Sequence, residues 1–331
     1  MRRGWLSAMA WLFWLCLAGN AVALERVVFA TDWKAQAEHG GFYQALAKGY
    51  YAEQGLDVVI RQGGPGVNIP QLLGAGAVAF GMGSSSFMPL NMVRAGVGAK
   101  AVMAVFQKSP EILMTHPRPD IKNLADMRGK PIMLADASIG AVWVWLKAKY
   151  GFEDRQIRKY TFNLAPFLVD PMAIQQGYLT SEPFMYERAM GHPPQIFLYA
   201  DEGYPSYATL VMARNDLIAA KPELVRGFVA ATAKGWRDYL FGDPAPGNAL
   251  IKRDNPEMSD ALIAQAIAKL KTHHIVVPEG AGADAIGQMQ DARWQAFFDV
   301  MVAHGVYPPG LDYRAAYTRA FLPEAAKDRA P

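Results

Sequence analysis

The chain has 331 residues, 52% hydrophobic and 19% charged, with 33 Lys and Arg against 30 Asp and Glu. Such length and apolar content give one large domain or two lobes with well-formed cores, and exclude a disordered chain. The near balance of charge and the lack of a basic tract exclude nucleic acid as a partner.

Arg2 and Arg3 precede an apolar run from Trp5 to Ala18, and Ala21-Val22-Ala23 offers an A-x-A cleavage site before Leu24. A charged start, an apolar middle and a small-residue exit describe a secretory signal peptide over residues 1–23. The run is short for a bilayer span, and no later run is long enough to be one. Cys16 follows Leu15 rather than a small residue, which argues against a lipoprotein anchor, so export of a soluble product is expected. Cys16 is also the only cysteine. Its removal leaves no disulfide, thiolate nucleophile or cysteine-ligated metal.

Strands and helices then alternate. Val27–Ala30 reads as a strand, and Gly41–Gln54 as a helix on the spacing of Phe42, Leu46 and Tyr50, stopped by Gly55. Asp57–Arg61 is a strand, followed by a "GGPG" turn and a short helix that Asn68 caps, with Pro70 in its first turn. Val78–Met82 is a strand, Phe87–Arg94 a helix stopped by Gly96, and Ala101–Phe106 a strand. A second series comprises strands at Ile112–Thr115, Pro131–Ala135, Tyr160–Asn163, near Tyr178 and at Ile196–Ala200. Its helices are a short turn in "NLADMRGK", Ile139–Tyr150 and Phe167–Gln175. After the strand "ATLVMAR" the chain reads as helical: Lys221–Leu240, Ala245–Arg253, Ser259–Leu270, Asp284–His304 and Tyr313–Phe321. The pattern predicts an α/β architecture with largely parallel sheets in two lobes and a helical tail.

"DWKAQAEHGGFYQALAKGYYAEQGLDVVI" resembles the opening of bacterial ABC-transporter substrate-binding proteins related to thiamine-pyrimidine synthase, a family also similar to the sulfonate-binding proteins. The resemblance rests on Asp32-Trp33, His39, Gly41, Tyr43, Lys48–Tyr51, Glu53 and Gly55–Val58. "GAGAVAFGMGSSS" at 74–86, "IKNLADMRGKPI" at 121–132, "KPELVRGFVAATAKGW" at 221–236, "MQDARWQAFFDVM" at 289–301 and "FLPE" at 321–324 extend it over nearly the whole mature chain. The resemblance implies a type II periplasmic-binding-protein fold: two α/β lobes, a hinge of two crossing strands, and a helical C-terminal extension on lobe one. On that map lobe one is 24–112 plus 208–331 and lobe two is 113–207, with a ligand held between them by hinge closure. A periplasmic location, an inner-membrane ABC permease as partner and a monomeric state follow from the same resemblance.

Trp33 and His39 fall in the loop after the first strand, the end of an open α/β sheet where ligands bind. An indole face stacks on a flat ring and an imidazole donates or accepts a hydrogen bond. An isolated Trp and His would read instead as core filler and helix buttress. The family motif around them, including Asp32, turns the reading toward ligand contact. Tyr43, one helical turn after His39, either shares its face or packs on the sheet. Ser84 and Ser85, with Ser86, sit where a strand opens into a helix, and Ser138 in "ADASIG" repeats that arrangement in lobe two. Each is a helix cap or a donor to polar ligand atoms. No Arg adjoins either element, which disfavours sulfonate or nitrate. In "GYLTSEPFMYE" at 177–187, Glu182 matches by position the acidic residue that pairs with amino-pyrimidine nitrogens in the family. Its plain reading is a solvated first-turn carboxylate. Tyr178 and Phe167 are further wall candidates. Relatives that bind pyrimidines often have Asn before the loop histidine, where this chain has Glu38.

"GAGAVA" and "GVGAKA" each follow a helix and enter a strand, the reverse of a dinucleotide site. "GMGSSSF" lacks the second Gly of a nucleophile elbow. His273 and His274 are adjacent and lack a metal-site partner. Neither a cofactor nor a metal is expected. The fungal synthase branch of the family works through a cysteine cluster, which the mature chain lacks, so binding without turnover is expected. The resemblance thus implies capture of a small aromatic heterocycle, a pyrimidine-type thiamine precursor first, with a sulfonate or other organic acid, or a precursor-synthesis enzyme, as alternatives.

Overall fold

A computed structural model describes residues 23–323. The expected signal peptide lies outside the described residues except for Ala23. In chain order the first strands are β1 (Glu25–Ala30), β2 (Leu56–Arg61), β3 (Phe80–Gly83), β4 (Ala99–Phe106) and β5 (Glu111–Thr115). They are followed by β6 (Ile132–Leu134), β7 (Ile157–Lys159), β8 (Ile174–Tyr178), β9 (Gln195–Leu198) and β10 (Ala208–Arg214). The early helices are α1 (Gly40–Ala47), α2 (Ile69–Gly74), α3 (Phe87–Arg94), α4 (Asp136–Ile139) and α5 (Val142–Tyr150). Then come α6 (Ala165–Val169), α7 (Glu182–Met190), α8 (Asn215–Ala220), α9 (Pro222–Phe241), α10 (Ala245–Asp254), α11 (Asp260–Thr272) and α12 (Asp291–Ala303).

The strands form two five-stranded sheets, ordered β2-β1-β3-β10-β4 and β7-β6-β8-β5-β9. Both are mixed rather than largely parallel. β1 runs parallel to β2 and β3, and β6 to β7 and β8, whereas β10 is antiparallel to β3 and β4 and β5 is antiparallel to β8 and β9. The antiparallel members are those that adjoin the chain's two crossings between sheets, at residues 107–110 and 199–207. The outer edge of β4 is covered rather than bare: Ala101 bridges to Tyr317 and Ala104 to Gly287, which shields an edge that would otherwise invite pairing.

Helices α9, α10 and α11 pack on sheet one around Phe29, Phe42, Phe80, Phe228 and Trp236. α1 lies so close to α9 that a Cβ on Gly41 would come within 2.1 Å of the Trp236 ring, so only glycine fits there. A second apolar cluster is continuous from Trp145 of α5 through Tyr204, in the second crossing, to Phe87 of α3 and Phe297 of α12.

Several boundaries differ from expectation for local reasons. The first helix stops at Ala47 because Gly49 turns left-handed (φ 72°). The helix expected from Ile139 breaks at Gly140–Ala141 into α4 and α5. The helix expected over Phe167–Gln175 ends at Val169: Asp170 precedes Pro171 and is extended, and Ile174 and Gln175 belong to β8. β7 precedes Tyr160–Asn163, which forms a loop instead of a strand. Gly287 (φ 85°) interrupts the helix expected from Asp284, and α12 starts at Asp291. Tyr313–Phe321 holds a single 3-10 turn, Tyr313–Ala316, before Tyr317 pairs beside β4.

Candidate functional site

A cavity of about 740 Å³ opens between the two sheets. Its walls are the segments that leave the carboxyl ends of the parallel strands: Asp32–His39 after β1, Ser84–Ser85 after β3, Ala135–Ser138 after β6, Tyr160–Phe162 after β7 and Tyr178–Glu182 around the end of β8. Gly64–Pro70 after β2, and Glu111 and Thr209 at the amino ends of antiparallel β5 and β10, also line it. Facing carboxyl edges of two sheets are where an α/β fold places a ligand.

The Trp33 loop is pinned from both sides. Thr31 Oγ1 and the Gly63 N–H both donate to the Trp33 carbonyl, at 2.7 and 3.0 Å. The Ala35 N–H donates to Gln62 Oε1 (3.0 Å), and Asn255 Nδ2 donates to the Ala35 carbonyl (2.8 Å). The indole is thereby presented half-buried, and the Phe162 ring from the other sheet lies 4.0 Å from it. Phe162 (φ 61°) and Thr209 (φ 47°) both line the cavity and both hold left-handed backbone, which a branched residue such as Thr209 rarely tolerates.

His39 is 1% exposed, with Nε2 3.6 Å from Asp32 Oδ1 and Nδ1 without a hydrogen-bond partner among the described residues. Glu38, at 2% exposure, accepts a hydrogen bond from the hydroxyl of Thr180 of the opposite lobe. Gln265 of α11 holds the Thr180 carbonyl. Burial raises the Glu38 carboxyl above its ordinary range, against the lowering effect of Thr180.

Glu182 also sits in a desolvated position, and burial raises its carboxyl. Its two oxygens accept from the Tyr178 N–H (2.8 Å) and the Tyr160 hydroxyl (3.0 Å). Each keeps a further lone pair, so the carboxylate remains an acceptor for a ligand N–H. Gly177 makes room for it, since a Cβ there would lie 3.1 Å from Glu182 Cβ.

Asp32, Trp33, His39, Ser84, Ser85, Ser138, Tyr178 and Glu182 thus all line one cavity. Tyr43 does not. It is fully buried in α1 and its hydroxyl donates to Asp254 (3.1 Å). The 3-10 turn Ala37–His39 ends at His39, so the one-turn spacing from His39 to Tyr43 does not follow α-helical geometry. Phe167 likewise belongs to a lobe-two core with His116 and Tyr186. The serines are less free than expected. The Ser86 N–H is taken by Ser206 Oγ and the Tyr207 carbonyl. Ser138 lies within α4 rather than capping it, and its Oγ accepts from Gln176 Nε2 (2.6 Å).

Glu111, Tyr160, Phe162, Gln176 and Thr209 also line the cavity without a sequence signal. The chemical balance is clear: Asp32, Glu38, Glu111, Asp136 and Glu182 line the cavity, while its basic side chains are His39 and Lys159. Lys159 is 70% exposed at the rim and pairs with Asp136 at 3.1 Å. This is an aromatic, acceptor-rich cleft.

The sequence matches the family described as NMT1/THI5 like over residues 36–245. It is 24% identical over 308 residues to the riboflavin-binding protein RibY of Chloroflexus aurantiacus, covering 91% of this chain and 87% of that one. It is 24% identical over 256 residues to the formylaminopyrimidine-binding protein of Halalkalibacterium halodurans, covering 75% and 76%. Among solved structures, the periplasmic aliphatic sulphonate binding protein SsuA of Escherichia coli superposes with a TM-score of 0.64 at 14% identity, covering 93% of this chain and 97% of that one. This chain belongs to the NMT1/THI5 like family and has the fold of the periplasmic binding proteins.

Proposed function

We propose that this chain is the periplasmic solute-binding protein of an ABC importer, and that it captures a small, flat, nitrogen-containing heteroaromatic between its lobes. The single observation that carries the reading is the cavity lining: the Trp33 and Phe162 rings meet there at 4.0 Å, and Asp32, Glu38, Glu111 and Glu182 line it with His39, beside Asp32, as its buried basic side chain. Aromatic faces suit a planar ring, and carboxylates accept from its N–H edge. The same carboxylates repel a sulfonate or nitrate, so the shared fold with a sulfonate binder does not carry over to the ligand. The relatives named for riboflavin and formylaminopyrimidine both take ring-nitrogen heterocycles, in keeping with this reading. A pyrimidine-type thiamine precursor is the first candidate. A cavity of about 740 Å³ also accommodates larger members of the class.

Residues 24–112 with 208–331, and 113–207, would form the two closing lobes, moving about the crossings at 107–110 and 199–207. Capture proceeds without turnover, since the only cysteine, Cys16, falls in the expected signal peptide. Native mass spectrometry of gently purified mature protein, with a thermal-shift screen of pyrimidines, flavins and sulfonates, tests the reading. A co-purifying or stabilising heterocycle is expected, because a ligand that binds only the folded state raises its stability. Stabilisation by sulfonates alone would overturn it.

A further inference from the structure

Next to the crossing between the sheets, the cavity lining carries a carboxyl with no basic side chain beside it among the described residues. Glu111 opens β5 directly after the first crossing and pairs in register with Tyr178 of β8. Directly opposed residues of an antiparallel pair project from the same face, and both line the cavity. Glu111 is 7% exposed, and among the described residues its side-chain partner is the Ser109 hydroxyl at 3.4 Å. The titratable groups that face it are Asp32 from the loop after β1, Tyr178 from β8, and Tyr199 and Tyr204 from the second crossing. None of these is a cation. The hydroxyls of Tyr199 and Tyr204 are themselves buried without a hydrogen-bond partner among the described residues. Burial pushes the Glu111 carboxyl up to about 7, Ser109 opposing and the Asp32 charge adding to the rise. Burial first, and then the Glu111 charge, raise the Tyr178 and Tyr199 phenols in turn. A buried carboxylate in such surroundings is costly until a donor reaches it.

We propose that Glu111 is a specificity-determining residue of this site. Once ionised, it accepts a hydrogen bond from the N–H edge of an amino-substituted heteroaromatic, and solute capture is coupled to loss of its proton to solvent. The inference rests on the functional reading above and narrows it to a chemical class. A neutral carboxyl presents an O–H beside its one carbonyl acceptor, whereas a carboxylate presents acceptors alone. Ionised Glu111 therefore meets N–H donors with both oxygens and places no competing O–H against them.

The test is calorimetric titration of 4-amino-2-methylpyrimidine into wild type and Glu111→Gln at pH 6, 7 and 8. The ring's own titration is common to both proteins and cancels in the ratio of their affinities. With an apparent value near 7, the ratio in favour of wild type is expected to rise about tenfold from pH 6 to pH 8. A ratio independent of pH overturns the assignment while leaving the functional reading in place. Binding of riboflavin but not of the aminopyrimidine does the same. A wild type that binds neither compound overturns both. If Glu111→Gln does not fold by circular dichroism, Glu111→Met takes its place in the same ratio, with the same rise expected and a ratio independent of pH again overturning the assignment.

Discussion

The centroids of Trp33 and Phe162 lie 4.0 Å apart with their planes tilted by 43°, although one ring follows β1 of sheet one and the other follows β7 of sheet two. The Thr180 hydroxyl reaches Glu38 across the same gap. An aromatic contact and a buried hydrogen bond therefore bring the lobes together around the cavity. A flat solute that enters between the rings exchanges one aromatic contact for two.

Trp33→Ala is accordingly expected to weaken binding of a flat heterocycle by roughly tenfold to a hundredfold, the range of a lost ring-stacking contact. Phe162→Ala should give a smaller loss, since Phe162 is 39% exposed. Neither change should shift the thermal midpoint much, because neither ring belongs to a buried core. Titration calorimetry and a melting curve on the same samples separate the two effects.

Tyr43→Phe tests the correction made by the structure. The substitution removes the hydroxyl bonded to Asp254 and nothing that lines the cavity. A stability loss of about 1 kcal/mol with unchanged ligand affinity is expected by denaturant titration and calorimetry.

The stability of the ligand-free protein should respond to pH through Glu111. The unfolded carboxyl ionises near 4.5 and the folded one near 7, so the stability held by its proton is complete below about 4.5 and is lost as pH rises through 7. Glutamine mimics the neutral acid. Glu111→Gln should therefore gain on wild type by roughly 2 kcal/mol between pH 5 and pH 8. Groups common to both proteins, such as His273, cancel in this difference. Urea titrations of the two proteins at both pH values check it.

Gly177→Ala places a Cβ 3.1 Å from Glu182 Cβ and 3.2 Å from its Oε2. The side chain must shift, and its bonds with Tyr160 and Tyr178 shift with it. Weakened ligand binding in a folded protein is the expected outcome, read by calorimetry with circular dichroism as the control.

Signals carried by neighbouring residues were legible in the sequence. Asn68 does cap α2, accepting from the Gln71 N–H, and Gly96 (φ 69°) does follow the end of α3. The loops with Trp33, Ser84, Ser138 and Glu182 all meet at one cavity, because each leaves the carboxyl end of a parallel strand. Long-range pairing was not legible. Glu111 reads as an acid beside an apolar run until antiparallel pairing sets it opposite Tyr178. Thr161 and Phe162 carry strand propensity, yet they form a cavity wall, with Phe162 left-handed, which local preference alone does not predict. Tyr43 was misplaced by assuming α-helical spacing across a 3-10 turn.

The central claim, an acceptor-rich cleft that grips a flat nitrogen heterocycle, is tested most directly by a side-by-side calorimetric titration of the mature protein at pH 7.5. The ligands are 4-amino-2-methylpyrimidine, riboflavin and ethanesulfonate. Saturable one-to-one binding of at least one heterocycle and no heat of binding from the sulfonate is the predicted result. Tight binding of the sulfonate with neither heterocycle bound would contradict it.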